Sequence, residues 1–116
     1  MRIRFDEQLH LLNEEMIRMG SMIEHAIESA CQVLITRSLE DFRAIMDNDQ
    51  NIDRQERDIE TMCLRLLLMQ QPVARDLRLI SAALKMITDM ERIGDQASDI
   101  AEIITMPVEG ELLETP

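Results

Sequence analysis

Tryptophan and tyrosine are absent from this chain, and phenylalanine occurs only twice, as Phe5 and Phe42. Glycine and proline are scarce too, with three of each in 116 residues. Strands draw on aromatic side chains to fill a pleated surface, so this composition weighs against a sheet protein and suits long helices. Cysteine appears twice, as Cys31 and Cys63. Two such residues make no disulfide framework and match no zinc-ligand spacing, so both are expected as small buried hydrophobes carrying reduced thiols. No apolar run approaches the ~20 residues that span a bilayer, and the opening MRIRFDEQLH lacks the hydrophobic core of a secretion signal. A cytoplasmic location is expected.

Positive charge is also in short supply. Twelve basic residues face twenty-three acids, for a formal net charge of -11. A polyanion needs clustered Lys and Arg to neutralise its phosphates, so nucleic acid is excluded as a partner. All but one of the basic residues are arginine, which leaves room for local forked contacts to carboxylates or phosphates. One such place is PVARDLR, where Arg75 and Arg78 stand at one end of a helix and offer a docking point.

What remains is apolar periodicity. The chain is 46% hydrophobic, with ten methionines. Three- and four-residue steps link Phe5, Leu9, Leu12, Met16, Met19, Ile23, Ile27, Ala30 and Leu34, which predicts a helix over about residues 4–36. Ser38 is placed to cap a second helix, with Asp41 in its first turn and an apolar series at Phe42, Ile45, Ile52, Ile59, Cys63 and Leu66. That helix should stop near Gln71. Pro72 suits the first turn of a third helix, striped by Leu77, Ile80, Leu84, Ile87, Met90, Ala97, Ile100 and Ile104. Pro107 and Gly110 end it, and VEGELLETP reads as an acidic tail or the start of a linker. Helices of this size are ~50 Å long, and short connections make them antiparallel neighbours. The expected fold is all-α: an up-down-up three-helix bundle, spectrin-like in appearance, in one domain over residues 1–106. A leucine-zipper heptad is absent, which speaks against a strict coiled coil.

Acids interrupt two of these stripes. Asp49 and Glu56 occupy positions that would continue the apolar series of the second helix, and Asp53 lies one turn beyond Asp49. In the third helix Glu91 falls next in the stripe, and Asp95 follows one turn later. Antiparallel pairing puts Asp53 level with Glu91 and Asp49 level with Asp95, near the middle of the bundle. Glu24 and His25 of the first helix reach that height, with Glu28 one turn away. Four facing carboxylates repel and lose hydration. They are relieved by an open solvated face, by arginines such as Arg54, Arg57 and Arg92, by partial protonation, or by a bridging cation. All-oxygen ligands suit hard cations, iron or manganese better than zinc or copper. Gly94, inside this stretch, marks either the close approach of a ligand or a helix-packing notch.

The stretches DNDQNID, RQERDIE and QQPVARDLRLISAALKMITDMERIGDQASDIA resemble the PhoU family, regulators associated with phosphate transport, and the resemblance covers residues 3–106. It implies three-helix repeats and a Glu/Asp-x-x-x-Asp signature that holds multinuclear metal clusters. Asp49 with Asp53, and Glu91 with Asp95, match that signature and are thereby implied as metal ligands, with Asp99 and Glu56 as outer contributors. Iron is the metal the resemblance favours, and manganese, magnesium, nickel and calcium share the ligand chemistry. It further implies a non-enzymatic regulator that couples the ATPase of a phosphate ABC transporter to a sensor histidine kinase, and meets the membrane through those partners. Family members commonly carry two repeats in tandem, so a natural single repeat is expected to form a homo-oligomer.

Two other readings stand beside this one. A metal-free helical interaction module would share the fold and leave the acids solvated. A carboxylate di-metal oxidase needs two Glu-x-x-His motifs, and only Glu7 to His10 fits. Ser21, Ser29, Ser38, Ser81 and Ser98 lack a Gly-x-Ser-x-Gly context, so no enzyme is expected.

Overall fold

Three long helices make up the described part of the chain: α1 (Arg2–Thr36), α2 (Leu39–Leu68) and α3 (Ala74–Thr105). The computed structural model describes residues 2–69 and 73–105, excluding the side chains of residues 2 and 3. The expected stop near Gln71, Pro72 and the acidic tail lie outside the described residues; α2 itself ends at Leu68.

Local chemistry sets the turn between α1 and α2. Arg37 adopts a left-handed φ of 51°, and its N–H donates to the Val33 carbonyl at 2.8 Å, closing α1. Ser38 then caps α2 from an extended conformation, its Oγ accepting the Asp41 N–H at 3.2 Å. Thr36 ties the corner by donating from Oγ1 to Asp41 Oδ2 at 2.7 Å. Glu40 and Asp41 sit at the positive end of the α2 macrodipole and Arg65 at its negative end. A left-handed arginine is strained where glycine is not, so Arg37→Gly is expected to raise stability by about 0.5 kcal/mol, or about 3 °C in Tm by thermal melt. The start of α3 is built differently. Asp76, fully buried, accepts the Val73 N–H on Oδ2 at 3.2 Å, tying off a donor that the helix start leaves open.

Each helix packs against both others. Gln55 of α2 is 8% exposed, and its Nε2 donates to the Glu15 carbonyl at 3.0 Å and to Glu15 Oε1 at 2.9 Å. Seven residues earlier in α2, Asn48 donates to the carbonyl of Met22, seven residues later in α1. The two helices therefore run antiparallel.

Burial follows a seven-residue spacing. Phe5, Leu12, Met19, Ala26 and Val33 form the buried row of α1, joined by Ile23 and Ala30. Ile45, Ile52, Ile59 and Leu66 do the same on α2, and Ile80, Ile87 and Ala101 on α3, where Gly94 fills the fourth place. This is the spacing of helices wound gently about one another, achieved here with Ile, Ala and Val in place of a leucine zipper. It corrects the expected stripe. Ile27 and Leu34 are exposed while their neighbours Ala26 and Val33 are buried, because a seven-residue repeat keeps the seam one position back from where a wider stripe drifts. Leu77 is exposed for the same reason, one place after buried Asp76, while Ile100 is exposed one place before Ala101, which continues the seven-residue row from Ile80 and Ile87. Cys63 is buried, and burial pushes its thiol pKa up. Cys31 is exposed on α1, contrary to expectation, because it lies one place past the buried row at Ala30.

Gly94 is a packing notch. A Cβ there would stand 3.2 Å from the Cδ1 atoms of both Ile23 and Ile52, so the absent side chain lets three helices close on one layer. That layer lies beside the acids.

Candidate metal centre

The α2–α3 seam carries Phe42, Asp49, Glu56 and Cys63 on one side, spaced by seven, and Leu84, Glu91 and Ser98 on the other. On α2 the apolar Phe42 and Cys63 flank the two acids, while on α3 Leu84 precedes Glu91 and the polar Ser98 closes the row. Asp53 and Asp95 stand one turn from Asp49 and Glu91 at the edge of the seam, half-buried like them.

Asp49, Asp53 and Asp95 each bring a carboxylate oxygen within 4.8 Å of the other two. Glu91 joins them from α3 and, when protonated, hydrogen-bonds to Asp95 and Asp53. Three of the four carboxylates of the two expected pairs therefore meet in one layer, and Glu91 stands outside that 4.8 Å set, joined to it through Asp95 and Asp53. Oδ1 of Asp49 and Oδ1 of Asp53 are buried and have no hydrogen-bond partner. Such atoms are rare in folded proteins, because desolvation without replacement is costly.

The electrostatics record this crowding. Glu91 is pushed up to about 8 by its hydrogen bond to Asp95, by burial and by its hydrogen bond to Asp53. Asp49 is raised by burial and by the charges of Asp95 and Asp53, against a hydrogen bond from Ser98 that favours its ionised form. Glu56 is raised by burial and by the charges of Glu60, Asp53 and Asp95, with Arg57 pulling the other way.

The arginines do not neutralise the layer. Arg54 donates to Asn51 Oδ1 at 3.4 Å, and Arg92 pairs with Asp89 at 3.5 Å. Among the described residues no ion pair reaches Asp49, Asp53, Glu91 or Asp95. Glu24, His25 and Glu28 point to solvent, as does Asp99, so the first helix adds none of those groups to the layer. Glu56 stays within its electrostatic reach. The buried seryl Ser98 is an addition that the sequence reading did not assign; its place seven residues after Glu91 in the seam was the available signal.

An acid-rich layer with orphaned oxygens and, among the described residues, no cationic side chain paired to Asp49, Asp53, Glu91 or Asp95 has the donor chemistry of a hard-cation site. The molecule is thus an all-α three-helix bundle with a carboxylate layer set into its α2–α3 seam. Residues 16–104 match the PhoU domain, and the chain belongs to that family. It is 39% identical over 102 residues to the phosphate-specific transport system accessory protein PhoU homolog of Synechocystis sp., covering 88% of this chain and 46% of that protein. The namesake from Clostridium acetobutylicum is 42% identical over 86% of this chain and 46% of its own length. That from Streptococcus pneumoniae is 31% identical over 97% and 52% respectively. The chain spans about half the length of the curated relatives it matches.

Proposed function

We propose that this chain is a regulatory module of a phosphate transport system, a single PhoU-type repeat whose α2–α3 layer binds a carboxylate-ligated metal centre. Its relatives are named as accessory proteins of such systems. In this reading it is a cytoplasmic, non-catalytic protein that restrains phosphate uptake and the starvation response by contacting the transporter ATPase and a sensor histidine kinase. No helix among the described residues is long and apolar enough to cross a membrane, which fits attachment through partners.

One observation carries the metal assignment: three carboxylate oxygens within 4.8 Å of one another, beside two buried oxygens that no protein donor satisfies. Asp49, Asp53 and Asp95 would hold the ion, with Glu91 completing the set once deprotonated. A bound cation would supply the positive charge that the layer lacks and lock α2 to α3. Iron is favoured by resemblance, and manganese, magnesium, nickel and calcium accept the same donors.

Elemental analysis of protein purified without chelator tests this, comparing wild type with the Asp49→Asn/Asp95→Asn variant and checking both for helicity. The expected result is stoichiometric metal in the wild type and about tenfold less in the variant. Trace metal in both would return the acids to a proton-sharing surface and leave a metal-free interaction module.

A further inference from the structure

The end of the bundle where α1 begins, α2 finishes and α3 starts differs from the rest of this acidic protein. Arg4, Arg65, Arg75 and Arg78 are all exposed there, and among the described residues none of them makes a side-chain ion pair. Arg65 is explained by helix stability, since a cation favours a helix C-terminus. The other three are not. Arg4 sits in the first turn of α1, which has no acid, and Arg75 in the first turn of α3, with Arg78 one residue beyond it. The macrodipole disfavours cations at both places. The acids at this end do little to offset them. Asp76 is buried and Asp6 is already partnered, leaving Glu7 one turn in from Arg4, Glu60 more than a turn back from Arg65, and Glu15 and Asp58, which line a neighbouring cleft with Arg65 on the side away from the bundle end.

Leucines protrude among these arginines. Leu68 is 86% exposed and Leu64 and Val73 are each 53% exposed. A cleft of about 400 Å³ opens between the start of α1 and the end of α2, lined by Arg4, Gln8, Arg65, Leu68 and Met69. Two guanidinium groups and two apolar side chains around one small opening suit an anionic headgroup that continues into hydrocarbon.

We infer that this end of the bundle docks end-on against an anionic lipid bilayer, its arginines on headgroup phosphates and Leu68 at the acyl boundary. The net charge of -11 does not prevent this. Asp53 lies twelve residues from Arg65 along α2, or ~18 Å, about two Debye lengths at physiological ionic strength. The carboxylate layer is screened from a membrane that the arginines touch. Basic groups beside apolar ones at a surface are the composition that binds such interfaces.

Vesicle co-sedimentation of the full chain in EDTA tests the inference independently of any metal. Vesicles of phosphatidylcholine alone are compared with vesicles carrying about one-third phosphatidylglycerol, and at least fivefold more bound protein is expected on the anionic ones, falling as salt is raised. Arg65→Glu/Arg78→Glu and Leu68→Ser should each remove most of that excess. Arg37→Glu/Arg43→Glu, at the opposite end, should keep it, with circular dichroism confirming that every variant is helical. Equal binding to both vesicle types would overturn the proposal, as would equal losses from changes at either end. Retention on an acidic helical peptide through the same arginines, without vesicle binding, would overturn it in favour of a protein partner.

Discussion

An Ile52→Ala variant is expected to unfold about 3 kcal/mol more easily than the wild type, a large part of the ~5–15 kcal/mol that stabilises a domain of this size. Ile52 is fully buried, and its Cδ1 and Cγ2 atoms stand over the backbone of Gly94 where three helices meet. Truncation leaves a void that cannot collapse easily, because Gly94 has no side chain to move into it and Ile23 already fills the other flank. Urea denaturation should show a lower midpoint with an unchanged slope. Ile17→Ala is the contrast: Ile17 is 63% exposed and should change stability by no more than about 0.5 kcal/mol. Ile52 lies between Asp49 and Asp53 in α2, so the same void should also loosen the carboxylate layer.

The second large effect is a reversal of pH dependence by metal. Glu91 is raised from an ordinary value of 4.5 to about 8, so the folded protein holds a proton that the unfolded chain has released across this range. Stability contributed by that proton is present below about pH 4.5, and is lost as pH rises through the folded value near 8. The upward shifts of Asp49 and Glu56 act in the same direction at the acidic edge of the window. In chelator, Tm should therefore fall steadily from about pH 5 to about pH 8. Glu91→Gln should flatten most of that slope, because the amide removes the titration while keeping the shape. With a divalent cation present the slope should change sign, since ligating carboxylates must be deprotonated and binding the native state stabilises it. A falling Tm in the presence of metal, matching the chelated protein, would count against the metal centre.

Much of this was readable in advance because it depends on near neighbours in the chain. The cap at Ser38 needs only its own hydroxyl and the N–H of Asp41. The i,i+4 acid pairs and their level placement need only helical rise and a short connection. The burial of Ala26 in place of Ile27, and of Val33 in place of Leu34, needed more. Hydrophobicity favours the larger residue at each step, and only the winding of three helices about a common axis selects the smaller one. Gln55 was missed for a related reason, whereas the Asp76 bond to the Val73 N–H spans only three residues and it is the full burial of that carboxyl that packing decides. A buried polar side chain is stable only with a partner, and that of Gln55 is supplied by Glu15, forty residues away on another helix.

By itself, the sequence determined three helices, their antiparallel order, the cap that starts α2, and which four carboxylates share one level, because periodicity, capping and helix rise are properties of a short stretch of chain. Only the tertiary structure decided that Gly94 is a packing notch, that no arginine reaches the acids among the described residues, and that Oδ1 of Asp49 and Oδ1 of Asp53 are buried without partners. Those outcomes depend on how closely side chains from different helices approach, and that distance is set by the packing of the whole core.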